Sequence, residues 1–230
     1  MIDDYSVKRE MLVKRLVDEG ILRSKKVIQA MLKVPREEFV LPSYRSLAYV
    51  DMPLPTLKGQ TISAPHMCAI MCENLEIEEG EVVLEIGTGS GYHAALCAEI
   101  VSRKGYVITL EIFPELARFA KENLKRTGYL DRVFIIVCDG SEGPPFRDSI
   151  LFDKILVTAA APKVPIPLLK RLKKGGRMLI PVGATEFYQE LVLVERLGDD
   201  KYTYKSLGPC LFVKMRGKCG FKNFSGPGGI

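Results

Sequence analysis

The chain has 230 residues, 47% of them hydrophobic, which suffices for one α/β domain with a substantial core and requires no second catalytic domain. No apolar run approaches a membrane span, and the start, Met1-Ile2-Asp3-Asp4, lacks a basic segment leading into an apolar core, so a cytoplasmic protein with no membrane partner is expected. The net charge of +5 permits nucleic-acid binding, but Lys170-Arg171-Leu172-Lys173-Lys174 and Lys121 to Arg126 read as solvated helix ends and faces without interleaved aromatics, so no nucleic-acid partner is expected.

In chain order, Ser6 can cap a first helix carrying Val7, Met11, Leu12 and Leu16 on one side, with Gly20 as its stop. Ser24 can cap a second, with Val27, Ile28, Met31 and Leu32, ending before Pro35. A proline-rich irregular segment then runs from Pro35 to Gln60. At Gly59-Gln60-Thr61-Ile62-Ser63-Ala64-Pro65-His66-Met67, Thr61 or Ser63 can cap a helix whose first turn suits Pro65. Unpaired N–H donors and the positive dipole end beside a serine hydroxyl make a ready carboxylate site; simple capping is the plainer alternative.

Val82-Val83-Leu84 then runs into Glu85-Ile86-Gly87-Thr88-Gly89-Ser90-Gly91, an apolar strand ending in an acid and a turn with glycine at every second position. Such a turn lets the backbone bend sharply and approach a ligand closely. The dinucleotide fingerprint is G-x-G-x-x-G; E-x-G-x-G-x-G is instead the pattern of S-adenosylmethionine (SAM) methyltransferases. Tyr106 to Glu111 is a second apolar strand ending in an acid, and Val133 to Cys138 a third, followed by Asp139-Gly140. Ligands of an open parallel sheet sit at the carboxyl ends of its strands, so Glu85, Glu111 and Asp139 are expected to converge on one crevice.

Strands alternate with helices from Val82 to Val182, predicting right-handed βαβ units in a doubly wound α/β sheet; together with the E-x-G-x-G-x-G turn this resembles the Rossmann-like fold of the class I SAM-dependent methyltransferases. Beyond Gly183, Glu190 to Glu195, Tyr202 to Lys205 and Cys210 to Val213 read as short antiparallel strands separated by Gly198-Asp199-Asp200 and Gly208-Pro209. One domain over 1–217 is expected: N-terminal helices and substrate-side segment in 1–80, cofactor core in 81–183, C-terminal strands in 184–217. A glycine-rich tail over 218–230 completes the chain, and the stretch from Gly217 on is expected to be mobile at least in part. Cys68, Cys72, Cys97, Cys138, Cys210 and Cys219 form no C-x-x-C pair, which predicts reduced thiols and no metal.

These motifs together resemble the protein L-isoaspartate (D-aspartate) O-methyltransferases along most of the chain. The resemblance is carried by Pro35-Arg36-Glu37-Glu38-Phe39-Val40, Asp51-Met52-Pro53-Leu54-Pro55, Gly59 to Met67, Glu85 to Gly91, Asp139-Gly140, Phe152 to Pro162 and Leu172 to Gly183. The stretch from Gly59 to Met67 is the part specific to these enzymes. The resemblance implies methylation by SAM, with S-adenosyl-L-homocysteine as product, of the free α-carboxylate of L-isoaspartyl and D-aspartyl residues in damaged proteins and peptides. It implies a protein partner as substrate; a monomer is expected, although the sequence does not fix the oligomeric state. Where the family reads F-V-P-L, this chain has Phe212-Val213-Lys214-Met215, which puts substrate affinity or peptide preference in question and leaves the expected chemistry unchanged.

Under that resemblance Glu85, Gly87, Thr88, Gly89, Ser90 and Gly91 surround the methionine moiety, Glu111 takes the ribose hydroxyls, and Asp139 and Gly140 meet the adenine edge. Pro55, Thr61, Ser63, His66 and Val213 form the substrate side, with Ser63 orienting the carboxylate and His93 structural. A carboxylate ionised at neutral pH and a sulfonium with its own leaving group need alignment and desolvation, and neither general base nor metal. The alternative is a SAM-dependent RNA methyltransferase, but Thr158-Ala159-Ala160-Ala161-Pro162 lacks the Asn/Asp-Pro-Pro-aromatic motif that base methylation would use.

Overall fold

A computed structural model describes residues 5–183 and 188–221. In chain order it contains α1 (Tyr5–Asp18), α2 (Lys25–Lys33), β1 (Leu54–Pro55), β2 (Thr61–Ile62), α3 (Pro65–Leu75), β3 (Val82–Ile86) and α4 (Tyr92–Val101). There follow β4 (Tyr106–Glu111), α5 (Pro114–Arg126), β5 (Val133–Val137), β6 (Phe152–Val157), α6 (Ile166–Lys170), β7 (Leu172–Val182), β8 (Gln189–Gly198) and β9 (Lys201–Cys210). Strands β3 to β9 form one sheet in the order β5-β4-β3-β6-β7-β8-β9. The five strands from β5 to β7 are parallel, whereas β8 and β9 join antiparallel. The strand order reverses between β3 and β6, which is where a doubly wound sheet opens a crevice for ligands.

Alternation along the strands divides the core. Val83, Val107 and Val133 face one apolar cluster shared with α1 to α4, while Leu84, Ile86, Ile108 and Leu110 face another beneath α6. Side chains alternate faces with period two, so Glu85 and Thr109 fall on the side of Val83 and Val107. They are cross-strand partners in the β3–β4 register. That placement buries both completely.

Several local expectations change. Helix α1 starts at Tyr5, so Ser6 lies inside it, and its buried side is Leu12, Val13 and Leu16; Val7 and Met11 are exposed. Ser24 occupies the cap position of α2 without a side-chain cap. Its hydroxyl instead donates to Glu73 on α3 at 3.0 Å, which also accepts the N–H groups of Arg23 and Ser24. The antiparallel strands are ten residues each, and Gly208-Pro209 lies inside β9 rather than between strands. A register shift between Glu190↔Pro209 and Val192↔Ser206 absorbs the extra residue as a bulge, with Gly208 at φ +110°. Among the described residues no helix is long and apolar enough to cross a membrane.

Candidate active site

A cavity opens at the carboxyl ends of β3, β4 and β6. Its cofactor side is built from Gly87 to Ser90, Leu110 to Phe113 and Gly140-Ser141, and its other side from Gln60 to Ser63, Cys68 and Val213 to Arg216. The glycine turn is held by its neighbours: Gly87 and Thr88 donate to Leu110 O, Gly91 donates to Thr88 O, and Gly89 donates to Glu111 Oε2 at 2.9 Å. Gly87 has φ +95°, and a Cβ there would lie 2.5 Å from Thr158 Oγ1, so glycine is required on both counts.

Glu111 lines the cavity. Besides Gly89 it accepts from Phe113 N at 3.0 Å. Burial raises its pKa and these N–H donors oppose the rise. A carboxylate keeps further lone pairs after two such bonds, enough for ligand hydroxyls. Glu85 lies beneath the turn, its Oε2 accepting from Thr109 Oγ1 at 2.5 Å and its Oε1 buried without a partner. Burial pushes its carboxyl up to about 7.

Asp139 is not among the lining residues, although Gly140 and Ser141 after it are. Its carboxylate accepts from Ser141 N at 2.9 Å and Lys218 N at 2.8 Å. The C-terminal segment thus reaches the site: Cys219 N donates to Ser141 Oγ, and the Arg216 guanidinium lies 4.8 Å from the Phe113 ring centroid. Val213 O and Met215 N bond to Ala160 N and O, so the Val213–Arg216 wall is tied to the residues after β6.

On the opposite side, Thr61 and Ser63 line the cavity but neither caps α3, whose cap position is Ala64 with Pro65 next. The capping acceptor comes from elsewhere in the chain, Asp51, whose Oδ1 accepts from His66 N at 2.9 Å. Ser63 is held through its backbone: its O accepts from Arg36 Nη2 at 2.8 Å and faces Cys68 Sγ at 3.8 Å. Both contacts go to the carbonyl and leave the hydroxyl for a ligand. Arg36 is fully buried, with Nε donating to Ala48 O and its guanidinium 5.0 Å from the Tyr92 ring centroid.

Of the expected site residues, Thr61, Ser63, Gly87, Thr88, Gly89, Ser90, Glu111, Gly140 and Val213 come together around one cavity, while Pro55, His66, Glu85, Gly91 and Asp139 stand behind it. His66 is turned to Asp51, 2.9 Å from its Nδ1. Gly91 serves packing, since a Cβ would approach Leu124 Cγ to 3.2 Å. His93, expected to be structural, lines the cavity, as do Cys68 and Phe113. Arg36 and Asp51 sit in quoted motifs, yet their roles depend on contacts far along the chain that no local pattern encodes.

A sequence profile described as protein-L-isoaspartate(D-aspartate) O-methyltransferase matches residues 7–220. The chain belongs to this family. It is 53% identical over 224 residues to the protein-L-isoaspartate O-methyltransferase of Staphylothermus marinus, covering 95% of this chain and 98% of the relative. It is 54% identical to that of Methanopyrus kandleri over 93% of each chain. Among solved structures, a Plasmodium falciparum β-aspartate methyltransferase in complex with S-adenosyl-L-homocysteine superposes with a TM-score of 0.80 at 28% identity, over 90% of this chain and 98% of that one. A second protein-L-isoaspartate O-methyltransferase gives 0.82 at 31%, over 92% of this chain and 67% of the other.

The cofactor of this methyltransferase is SAM, and the cavity suits it. Glu111 offers acceptors, the glycine turn permits close approach, and His93, whose Nε2 is buried without a partner, lines the same cavity. Among the described residues no cluster of His, Cys, Asp and Glu could hold a metal ion.

Proposed function

We propose that this methyltransferase acts on the free α-carboxylate of L-isoaspartyl and D-aspartyl residues in damaged proteins, opening a route back to normal aspartate, with Ser63 as the residue that orients the carboxylate. The observation that carries this reading is that Ser63 and Thr61 share one cavity with Glu111 and the glycine turn. SAM, when bound, supplies a methyl group activated by its sulfonium.

The work of the chain's own residues is binding and alignment. The substrate carboxylate is ionised at neutral pH, its ordinary pKa being about 3.5, so no side chain has to remove a proton from it. Ser63 presents its hydroxyl to one carboxylate oxygen while Arg36, gripping the Ser63 carbonyl, keeps the loop from drifting. Holding reactants in attack geometry is the larger part of such catalysis. Enclosure by Val213 to Arg216 strips water from the carboxylate, which makes it a better nucleophile. Glu111 fixes the ribose, and Gly140 and Ser141 wall the adenine end.

A tritiated-methyl assay comparing an isoaspartyl peptide, its normal aspartyl twin and tRNA tests the reading. Label on the isoaspartyl peptide alone is expected. Equal labelling of the aspartyl twin, or labelling of tRNA, overturns the substrate class.

A further inference from the structure

The unpartnered nitrogen of His93 has no assigned use. His93 stands in the first turn of α4, lines the cavity and is 6% exposed, and its Nε2 is buried with no hydrogen-bond partner. A buried polar atom without a partner carries a desolvation penalty, and such groups in folded proteins are commonly completed by a ligand or water. The cavity itself orders what can lie there. Glu111, Gly87 to Ser90, Cys68, Tyr92 and His93 line the same cavity; with the ribose at Glu111 and the 5′ substituent laid along the glycine turn, the far end of the cofactor would meet α4. That end carries the only anionic group of SAM, its α-carboxylate, which requires donors. The glycine turn has few to give, because the N–H groups of Gly87, Thr88 and Gly91 are already donated within the protein and that of Gly89 goes to Glu111.

We propose that His93 donates a hydrogen bond from Nε2 to the carboxylate of the methionine moiety, making it a cofactor-binding residue that reads the amino-acid end of the ligand. Glu85 interacts electrostatically with His93 from behind the cavity wall. The thiols of Cys68 and Cys72 lie beside His93 and interact with its ring. This inference rests on the cofactor assignment and adds to it a residue and a direction in which the ligand lies.

The test uses two nucleosides that differ only at the far end: S-adenosylhomocysteine, which has the amino-acid group, and 5′-methylthioadenosine, which lacks it. Calorimetry is run on the wild type, His93→Ala and His93→Gln. A hydrogen bond to a charged group corresponds to a loss of about ten- to a hundredfold in S-adenosylhomocysteine affinity for His93→Ala, with methylthioadenosine changed by no more than about twofold. His93→Gln, which keeps a donor, should recover part of the loss. Because methylthioadenosine binding also reports a folded site, misfolding cannot imitate this pattern. Equal losses for both ligands, or no loss for either, overturn the role of His93. Failure of the wild type to bind either nucleoside overturns the cofactor assignment beneath it.

Discussion

Asp51 Oδ1 lies 2.9 Å from both the backbone nitrogen and the ring Nδ1 of His66, so a carboxylate of the chain itself already occupies the start of α3. The same side chain pairs with Arg15 at 2.7 Å and thereby ties α1 to the substrate side. Asp51→Ala should cost about 1–2 kcal/mol through loss of the cap and its charge, and at about 2–4 °C per kcal/mol for a chain of this size the melting temperature should fall visibly. SAM affinity should hold, since Asp51 does not line the cavity. An unchanged melting curve refutes the capping role.

Ser63→Ala separates orientation from stability. The hydroxyl does not cap α3, so removing it should leave stability within about 0.5 kcal/mol of the parent, as for substitutions away from special features. Turnover on an isoaspartyl peptide should fall by about 10- to 100-fold if one orienting hydrogen bond is lost, with SAM affinity preserved. Full turnover in the folded variant removes Ser63 from the mechanism.

Glu111→Ala should weaken SAM binding by about 1.5–3 kcal/mol, the usual loss for a charged hydrogen-bond partner. Asp139→Ala should also weaken binding, by a different route: Asp139 holds Lys218 N, and freeing it releases the C-terminal wall. Gly217→Ala separates the two. Its Cβ would fall 2.0 Å from Asp139 Oδ1 at a backbone φ of +101°, so it forces the segment and Asp139 apart without removing the carboxylate. If Gly217→Ala binds SAM as the parent does, the indirect route for Asp139 is wrong.

Glu85 makes stability depend on pH. Its folded pKa is raised from 4.5 to about 7 by burial. Both states are protonated well below 4.5, so the group costs nothing there; above about 7 both are ionised and the cost is complete. Between those values the unfolded state binds fewer protons, and this group's contribution to the stability of the cofactor-free protein should decline as pH rises, by on the order of 1–3 kcal/mol in all. Glu85→Gln should flatten that part of the profile. Parallel parent and variant stability curves between pH 4.5 and 7 would count against an ionisable, buried Glu85.

The strand pattern and glycine turn were legible because they are local: period-two apolar runs and a φ-positive Gly87 follow from a few adjacent residues. The parallel core and the antiparallel end both follow from that reading, but the bulge that places Gly208 inside β9 depends on pairing with β8. Site residues were less legible where their duty depends on distant partners. Thr61 and Ser63 read as caps because hydroxyls before a helix usually are, and Asp51 from ten or more residues upstream took the position instead. His93 lines the cavity and His66 does not for the same reason: sequence locates each on a helix, whereas the contact with Asp51 and the packing of α3 and α4 decide which one borders the cavity.

The segment Val213–Arg216, which walls the cavity, follows every other lining residue in chain order. Synthesis proceeds from the N-terminus, so this wall is made after the glycine turn, the acid at Glu111 and the Ser63 loop. A cavity without it leaves cofactor and carboxylate in water, so a chain stopped before Val213 should keep every cofactor-side residue and lose turnover.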